Sequence, residues 1–333
     1  MPEQFDTASL PHDYSTVAEA SEIMLPDIDA VEHQRAGWFT RRLRVSVAAG
    51  SMVLAAMGGT LTTSGSAMAG GLNDEVYSPT ATFAEKAQDV TAMGHRGLKG
   101  YYKGRKADED TVRSCLHAVA SGADACEIDM RVTKDGVALG MHDENTNRVT
   151  RDCNLKISTH NYRRLKRCHM NHGDAISTVE QIAAALSPYR NRVDIIAEIK
   201  DKYISTKELR AINNSFVHYG FDSTNLAYES FNGRNLRRMK SVAPDVKALK
   251  IDGSAYPMRA GSLSAAFDGL IIPYSAFVNG EQANDQFAEE FRMRGLEIIP
   301  WGVETLAQMR NVVESGGSGF MSDHVDRVNS LRQ

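Results

Sequence analysis

Two histidines, two cations and three carboxylates stand in this chain where they could do chemistry together. His95 and Arg96 end the apolar run of "TAMGHRGLKG", and His142, followed by Asp143, ends that of "GVALGMHDENTNRVT". Imidazole gains and loses a proton near neutral pH, so a pair of histidines suits general acid and general base roles. Glu127 and Asp129 lie in "ADACEIDMRV", and Glu198 and Lys200 in "RVDIIAEIK". Residues two apart on a strand share a face, so Glu127 points with Asp129, and Glu198 with Lys200. If those faces are buried, the carboxylates need a counter-charge, because burying an unpaired carboxylate is prohibitive. A divalent cation is one such partner. The oxygens of Glu127, Asp129 and Glu198 suit Mg2+ or Ca2+, and Lys200 can reach the same cavity. Arg96 adds a planar fork of donors that fits a phosphate.

Taken singly, each pair has a plainer reading. Glu127 and Asp129 could form a solvated strand face beside Arg131, Glu198 and Lys200 a simple salt bridge, and each histidine an ordinary strand end. The elements that must position them argue for more. From about residue 88 the chain alternates apolar strands with helical periods. The expected strands are "DVTAMGH", "ADACEIDMRV", "RVDIIAEIK", "TNLAYES", "VKALKID", "GLIIPY", "EIIPWGV" and "GFMSDH". The expected helices are "DTVRSCLHAVASG", "STVEQIAAAL", "STKELRAINNSFVHYG", "GRNLRRMKSVA", "EQANDQFAEEFRMRG" and "TLAQMRNVVESG". Several open on Ser, Thr or Asp and close on Gly, as helix punctuation does. Such alternation over ~240 residues predicts an α/β fold, a (β/α)8 TIM barrel rather than an open doubly wound sheet. Barrel active sites lie at the C-terminal ends of the strands, where both carboxylate pairs and both histidines fall. The run "GVALGMHD" extends the second strand or lies beside it. Glu144 to Asp174 is the longest irregular stretch and reads as a lid or insertion.

The N-terminal part differs. Residues 1–37 mix Pro, Asp, Glu and Ser without a period and read as a disordered segment. Residues 38–69 read as an export signal, with Arg41, Arg42 and Arg44 before the modestly apolar Val45 to Met57, and Ala67-Met68-Ala69 as a small-x-small cleavage site. The adjacent arginines and weak hydrophobicity resemble a twin-arginine signal, although the leading segment is long for one. The alternative is an uncleaved anchor, for which the apolar run is short of the ~20 residues that span a bilayer. Either reading places a 70–87 linker and an 88–333 domain outside the cytoplasm: secreted, periplasmic or at the cell surface. Of 333 residues, 42% are hydrophobic and 24% charged, which fits a soluble domain with a real core. A net charge of −4 excludes a chain-wide nucleic-acid binder. An even count of cysteines in an exported chain permits disulfides. Cys153 and Cys168 flank a polar stretch and are the expected bridge. Cys115, in a helical pattern, and Cys126, in a strand pattern, are expected as buried thiols. "CHMNH", with Cys168, His169 and His172, reads as an ordinary loop, and His117 and His218 as structural histidines.

Set in order, these residues resemble the glycerophosphodiester phosphodiesterase family of the PLC-like phosphodiesterase superfamily. Its pattern is H-R-G, P-E-N-T, E-x-D with T-x-D-G, H-D followed by R-x-T, and E-I-K. Here the pattern reads His95-Arg96-Gly97, Asp108-Glu109-Asp110-Thr111, Glu127-Ile128-Asp129 with Thr133-Lys134-Asp135-Gly136, His142-Asp143 with Arg148-Val149-Thr150, and Glu198-Ile199-Lys200. Later echoes are Ser230-Phe231, the strand that holds Trp301, and "GFMSD". The likeness runs from about Thr91 to Val328. It implies a TIM barrel and metal-dependent hydrolysis of small or lipid-derived glycerophosphodiesters to sn-glycerol 3-phosphate and an alcohol. It also implies Glu127, Asp129 and Glu198 as ligands to Ca2+ or Mg2+, His95 and His142 as the acid/base pair, and Arg96 and Lys200 on the phosphate. Glu109 and Trp301 would be additional site residues, and His142 is assigned to the leaving group. Three departures bear on the substrate pocket. The loop "LKGYYKGRKA" is long and basic, P-E-N-T has become Asp108-Glu109-Asp110-Thr111, and T-D-x-P has become Ser322-Asp323-His324-Val325. That basic loop, with Tyr101 and Tyr102, reads first as a solvated loop; contact with a membrane surface or cell-wall polymer is its alternative. Two other functions compete. A phospholipase D-like or sphingomyelinase D-like enzyme shares the histidines and E-x-D, but Glu198-Ile199-Lys200 speaks against it. A non-catalytic surface binding protein is disfavoured by the intact histidines and ligands.

Overall fold

The computed structural model describes residues 81–279 and 285–333, so the expected disordered segment, the export signal and most of the linker lie outside the described residues. Eleven strands occur among the described residues. In chain order they are β1 (Thr91–Gly94), β2 (Gly100–Tyr102), β3 (Arg105–Ala107), β4 (Ala125–Val132), β5 (Ala138–Gly140), β6 (Asp194–Ile199), β7 (Leu226–Ser230), β8 (Lys247–Ile251), β9 (Gly269–Pro273), β10 (Glu297–Trp301) and β11 (Gly319–Ser322). Strand β1 pairs in parallel with both β4 and β11. That double pairing closes β1, β4 and β6 to β11 into a ring of eight parallel strands. Helices Val112–Ala120, Val179–Leu186, Thr206–His218, Gly233–Val242, Asp285–Met293 and Leu306–Glu314 fall where the sequence places them, and the chain is a (β/α)8 barrel.

Local chemistry sets the helix starts. Thr111, Thr178, Ser205 and Thr305 each close a capping box, in which the cap oxygen and the third helical residue satisfy each other's backbone N–H groups. A helix at Phe83–Asp89 precedes β1 and straddles the point where the expected linker ends. "GVALGMHD" supplies β5, which pairs antiparallel beside β4.

Two apolar layers follow from strand alternation. Met93, Ala125, Ile196, Ala227, Leu249, Ile271, Ile299 and Met321, one from each barrel strand, fill the interior as a plug. The opposite faces pack under the helices, with Ala92, Leu270, Ile272, Phe277, Phe291, Ile298 and Phe320 among the buried residues there. The ring is latched near the N-terminal end of β1. The buried guanidinium of Arg332 donates to the carbonyls of Ala87 (3.1 Å) and Val90 (2.9 Å) and pairs with Asp124, whose carboxylate also accepts the Ala92 N–H at 2.9 Å.

Two stretches depart from the sequence reading, the basic loop and the Cys115/Cys126 pair, and one between them agrees with it. The basic loop after Gly97 is a hairpin of β2 and β3, turned by Lys103 (φ 48°) and Gly104 (φ 77°), the two left-handed residues of a tight primed turn. Glu144 to Asp174 folds as an insertion over an apolar cluster in which its Val149, Ile157, Leu165 and Met170 pack with Leu139, Met141 and Ile176 beside it. The expected Cys153–Cys168 bridge staples it. The expectation of buried thiols at Cys115 and Cys126 is overturned, because the two form a disulfide. Helix Val112–Ala120 runs back over β4, and the outward face of that strand brings Cys126 to a Cα–Cα distance of 5.6 Å from Cys115.

Candidate active site

Two residues past the plug, on the same inward parity, the strands change character. Met93 is followed by His95, Ala125 by Glu127 and Asp129, Ile196 by Glu198, Ala227 by Glu229, Ile299 by Trp301 and Met321 by Asp323. The apolar floor thus carries a polar layer at the C-terminal mouth of the barrel, where such folds place their chemistry.

The turn after β1 is shaped by its neighbours. Arg96 adopts a left-handed backbone (φ 56°), uncommon for a residue with a Cβ, and so does Asp110 (φ 56°). The two are bonded to each other, Asp110 N–H donating to the Arg96 carbonyl at 3.1 Å. Such strain costs on the order of 1–3 kcal/mol and persists where surrounding contacts over-determine it. Here the Arg96 N–H donates to Glu127 Oε2 at 2.7 Å, and the Gly97 N–H to the Glu127 carbonyl at 3.0 Å. Gly97 (φ 76°) has to be glycine, since a Cβ would lie 2.5 Å from the Ser114 side chain.

This backbone places Arg96 among carboxylates. Its Nε lies 3.1 Å from Asp129 Oδ2 and its Nη1 3.2 Å from Glu109 Oε1. Lys200 Nζ lies 2.9 Å from Glu198 Oε2 and 3.4 Å from Asp129 Oδ1. In register, Asp129 stands opposite Glu198, and Glu198 opposite Glu229, so three neighbouring strands put carboxylates at one level. Burial works against the Asp129 charge, yet Lys200, Arg96 and His142 together hold it below its usual range. Burial, and then Asp129, push Glu198 up to about 7. Burial and like charge also raise Asp110, Glu127 and Glu229 well above the ordinary carboxylate range.

The two histidines are held alike. His95 Nδ1 lies 2.9 Å from Asp323 Oδ1, and Lys99 Nζ binds the other Asp323 oxygen at 2.7 Å. His142 Nδ1 lies 2.7 Å from Asp143 Oδ1. Arg148 then bridges Asp143 Oδ2 (2.5 Å) to both oxygens of Glu109 (3.0 and 2.5 Å), which leads back to Arg96. Burial opposes ionisation of Asp323, but hydrogen bonds from His95 and Lys99 hold it far below its usual range. Burial likewise opposes ionisation of Asp143, but Arg148 and His142 pull it down to about 2. A carboxylate on Nδ1 fixes the tautomer and leaves Nε2 of each ring for a substrate. Burial lowers the His142 pKa, against the pull of Asp129 and Asp143.

Among the described residues, no group of three or more acidic, histidine or cysteine side chains is arranged to hold a metal ion as they stand. Arg96 and Lys200 engage the oxygens that would ligate. The donor set nevertheless fits a hard divalent cation. Five buried carboxylates, Asp110, Glu127, Asp129, Glu198 and Glu229, face those two cations, and Asp110 Oδ2 and Glu229 Oε2 are buried without a hydrogen-bond partner. Oxygen-only ligands with surplus negative charge are what Ca2+ and Mg2+ sites offer.

The structure joins Arg96, Glu109, Glu127, Asp129, His142, Glu198 and Lys200 in one network, and holds His95, next to Arg96 in the chain, in a second one with Asp323 and Lys99. Trp301 packs on the interior plug at the same mouth, its Nε1 buried without a hydrogen-bond partner. His169 and His172 pair with Asp152 and Asp108, and His117 Nδ1 with the Leu98 carbonyl, as ordinary structural histidines do. Sequence reasoning missed Asp110, Glu229 and the role of Asp323. The alternation of Ala227 and Glu229 in "TNLAYES" was the available signal for one of them.

A model described as the glycerophosphoryl diester phosphodiesterase family matches residues 95–327. A glycerophosphodiester phosphodiesterase of Bacillus altitudinis is 25% identical over 257 residues, 72% of this chain and 97% of the relative. One from Caldanaerobacter subterraneus subsp. tengcongensis is 24% identical over 259 residues, covering 72% and 96%. The fold is similar to that of a glycerophosphodiester phosphodiesterase from Parabacteroides distasonis (TM-score 0.62, 18% identity, covering 73% of this chain and 97% of that one). It is also similar to an Oleispira antarctica phosphodiesterase solved in complex with the product sn-glycerol-3-phosphate (TM-score 0.60, 19% identity, covering 72% and 96%).

Proposed function

The chain belongs to the glycerophosphoryl diester phosphodiesterase family, and from that premise we propose that it hydrolyses glycerophosphodiesters to sn-glycerol 3-phosphate and an alcohol, in a metal-dependent reaction run by His95 and His142. The observation that carries this reading is the pair of histidine–aspartate dyads set beside a carboxylate cluster at the barrel mouth. Glu127, Asp129 and Glu198 would hold the cation, which when bound supplies charge neutralisation and orientation of the phosphoryl group. Arg96 and Lys200 donate to the non-bridging oxygens, where negative charge builds. His142, biased by burial towards its neutral form, takes the proton of the attacking hydroxyl, which belongs either to water or to the substrate's own glycerol; in the second route water then opens the cyclic phosphate. His95 gives its proton to the alcohol oxygen as the P–O bond breaks. This is the reverse of the assignment made from sequence. Asp143 and Asp323 keep each ring in the tautomer that presents Nε2.

The test is direct. The parent chain with Ca2+ or Mg2+ should release glycerol 3-phosphate from glycerophosphocholine, and EDTA should abolish the release. His95→Ala and His142→Ala should each lower turnover by about two orders of magnitude or more, with unchanged circular dichroism. Parent-rate turnover in both variants would sink the mechanism, and cleavage of intact lysolipid instead would point to the lipid-phosphodiesterase reading.

The same proposal includes export. The two disulfides support an oxidising compartment for the folded part. Exposed Tyr203, Phe231 and Tyr256 follow the ends of β6, β7 and β8, and exposed Tyr101 lies on β2 of the hairpin after β1, which supports contact of that rim with a membrane surface.

A further inference from the structure

The inward residue of β7 has no use in the reaction as described, yet it is a carboxylate. Glu229 is 2% exposed and its Oε2 lacks any hydrogen-bond partner. Its strand neighbours are satisfied: Ser230 Oγ donates to the Ile199 carbonyl at 2.7 Å, and Tyr228 Oη to Asn213 at 3.1 Å. Glu229 faces Glu198 in register and feels the charges of Glu198 and Asp129. The cation that offsets it, Lys200, is already bonded to Glu198 and paired with Asp129. A buried carboxylate repelled by its neighbours does not serve the fold, since a well-packed neutral residue in its place is often neutral or stabilising.

We propose that Glu229 is a further ligand of the divalent cation, the fourth carboxylate of that centre beside Glu127, Asp129 and Glu198. The inference rests on the metal-dependent reading above. Adjacent strands lie about 4.8 Å apart, so inward carboxylates in register on β4, β6 and β7 line one wall of the mouth within reach of a single ion. A fourth carboxylate favours Ca2+, which takes six to eight oxygens. Mg2+ keeps several of its waters and gains less from it.

The experiment is isothermal titration of the full chain, freed of metal with EDTA, against CaCl2 and against MgCl2, with a thermal melt in EDTA alongside. Glu229→Gln should bind Ca2+ about ten-fold more weakly than the parent, with a smaller loss for Mg2+. Its metal-free melting temperature should equal or exceed the parent's, because a repulsion has been removed. Glu229→Ser carries the same expectation if the amide variant misfolds. Parent-like Ca2+ affinity in Glu229→Gln overturns the inference, as does a lowered metal-free melting temperature with unchanged affinity, the mark of a structural role. A parent chain that binds neither ion overturns the metal-dependent reading itself, and this inference with it.

Discussion

In the reaction proposed above, Asp323 touches no reacting atom and would act through its hold on His95. Asparagine there can still meet Nδ1, but it no longer carries the charge that steadies a protonated ring. Asp323→Asn should therefore lower kcat about ten-fold or more while KM for glycerophosphocholine stays within a few-fold, and should shift the pH profile of kcat. A KM effect with unchanged kcat would mean that Asp323 serves only through Lys99. At this scale the sequence was legible where parity alone decides. Glu127, Asp129 and Glu198 face inward because they alternate with residues that pack under the helices. Asp110 was not legible in the same way. Its carboxylate reaches the cluster by accepting the Asp129 N–H at 2.9 Å from a left-handed loop residue, and no strand period describes a loop.

The insertion between β5 and helix Val179–Leu186 depends on its staple. Its apolar cluster is small, and the segment from Thr146 to Leu165 holds only short turns and one four-residue helix. The Cys153–Cys168 link closes a loop with a sequence separation of 15, worth about 3 kcal/mol in chain entropy. A Cys153→Ser/Cys168→Ser variant should be cut by limited proteolysis first within residues 144–174, with the barrel fragments surviving; the parent should resist. Cleavage elsewhere first would show that the insertion holds without its bridge. This bridge was visible from its polar surroundings. The Cys115–Cys126 bridge was hidden, because it depends on the helix lying back over its own following strand, and neither residue's local pattern records that approach.

For the molecule as a whole, the site sets the dependence of stability on pH. Glu198 titrates near 7 in the folded chain, and Asp110, Glu127 and Glu229 are raised as well, whereas unfolded carboxyls titrate near 4. Between those limits the folded chain binds more protons than the unfolded one, so metal-free stability falls as pH rises. Asp143 and Asp323 have lowered values, and their contribution is present above pH ~4 and lost as pH falls. His142, lowered by burial, tempers the decline. In EDTA the melting temperature should be highest near pH ~5 and fall towards pH 8, and excess Ca2+ should flatten that fall. A metal-free melting temperature that climbs steadily over pH 5–8, read by scanning fluorimetry, would contradict the account. The barrel itself was the most legible feature, since capped helices and apolar strands alternate plainly along the chain. How the ring is sealed was not.

That seal bears on the order in which the molecule assembles. Arg332 reaches Val90 across 242 positions of sequence, and β1 pairs with β11 at a similar remove. The pairings from β6 to β11 join strands consecutive in the chain and can zip up one after another, each adding a short loop closure. The last stitch cannot. Until β1 meets β11, the growing sheet is an open, curved ribbon with its interior plug exposed and two bare edges, the form most prone to sticking to its neighbours. The Arg332 latch is therefore more than a tie for the chain's end. It ties down the last seam from its N-terminal end, so Arg332→Ala should leave an intact mouth on a protein that refolds in lower yield on dilution from denaturant.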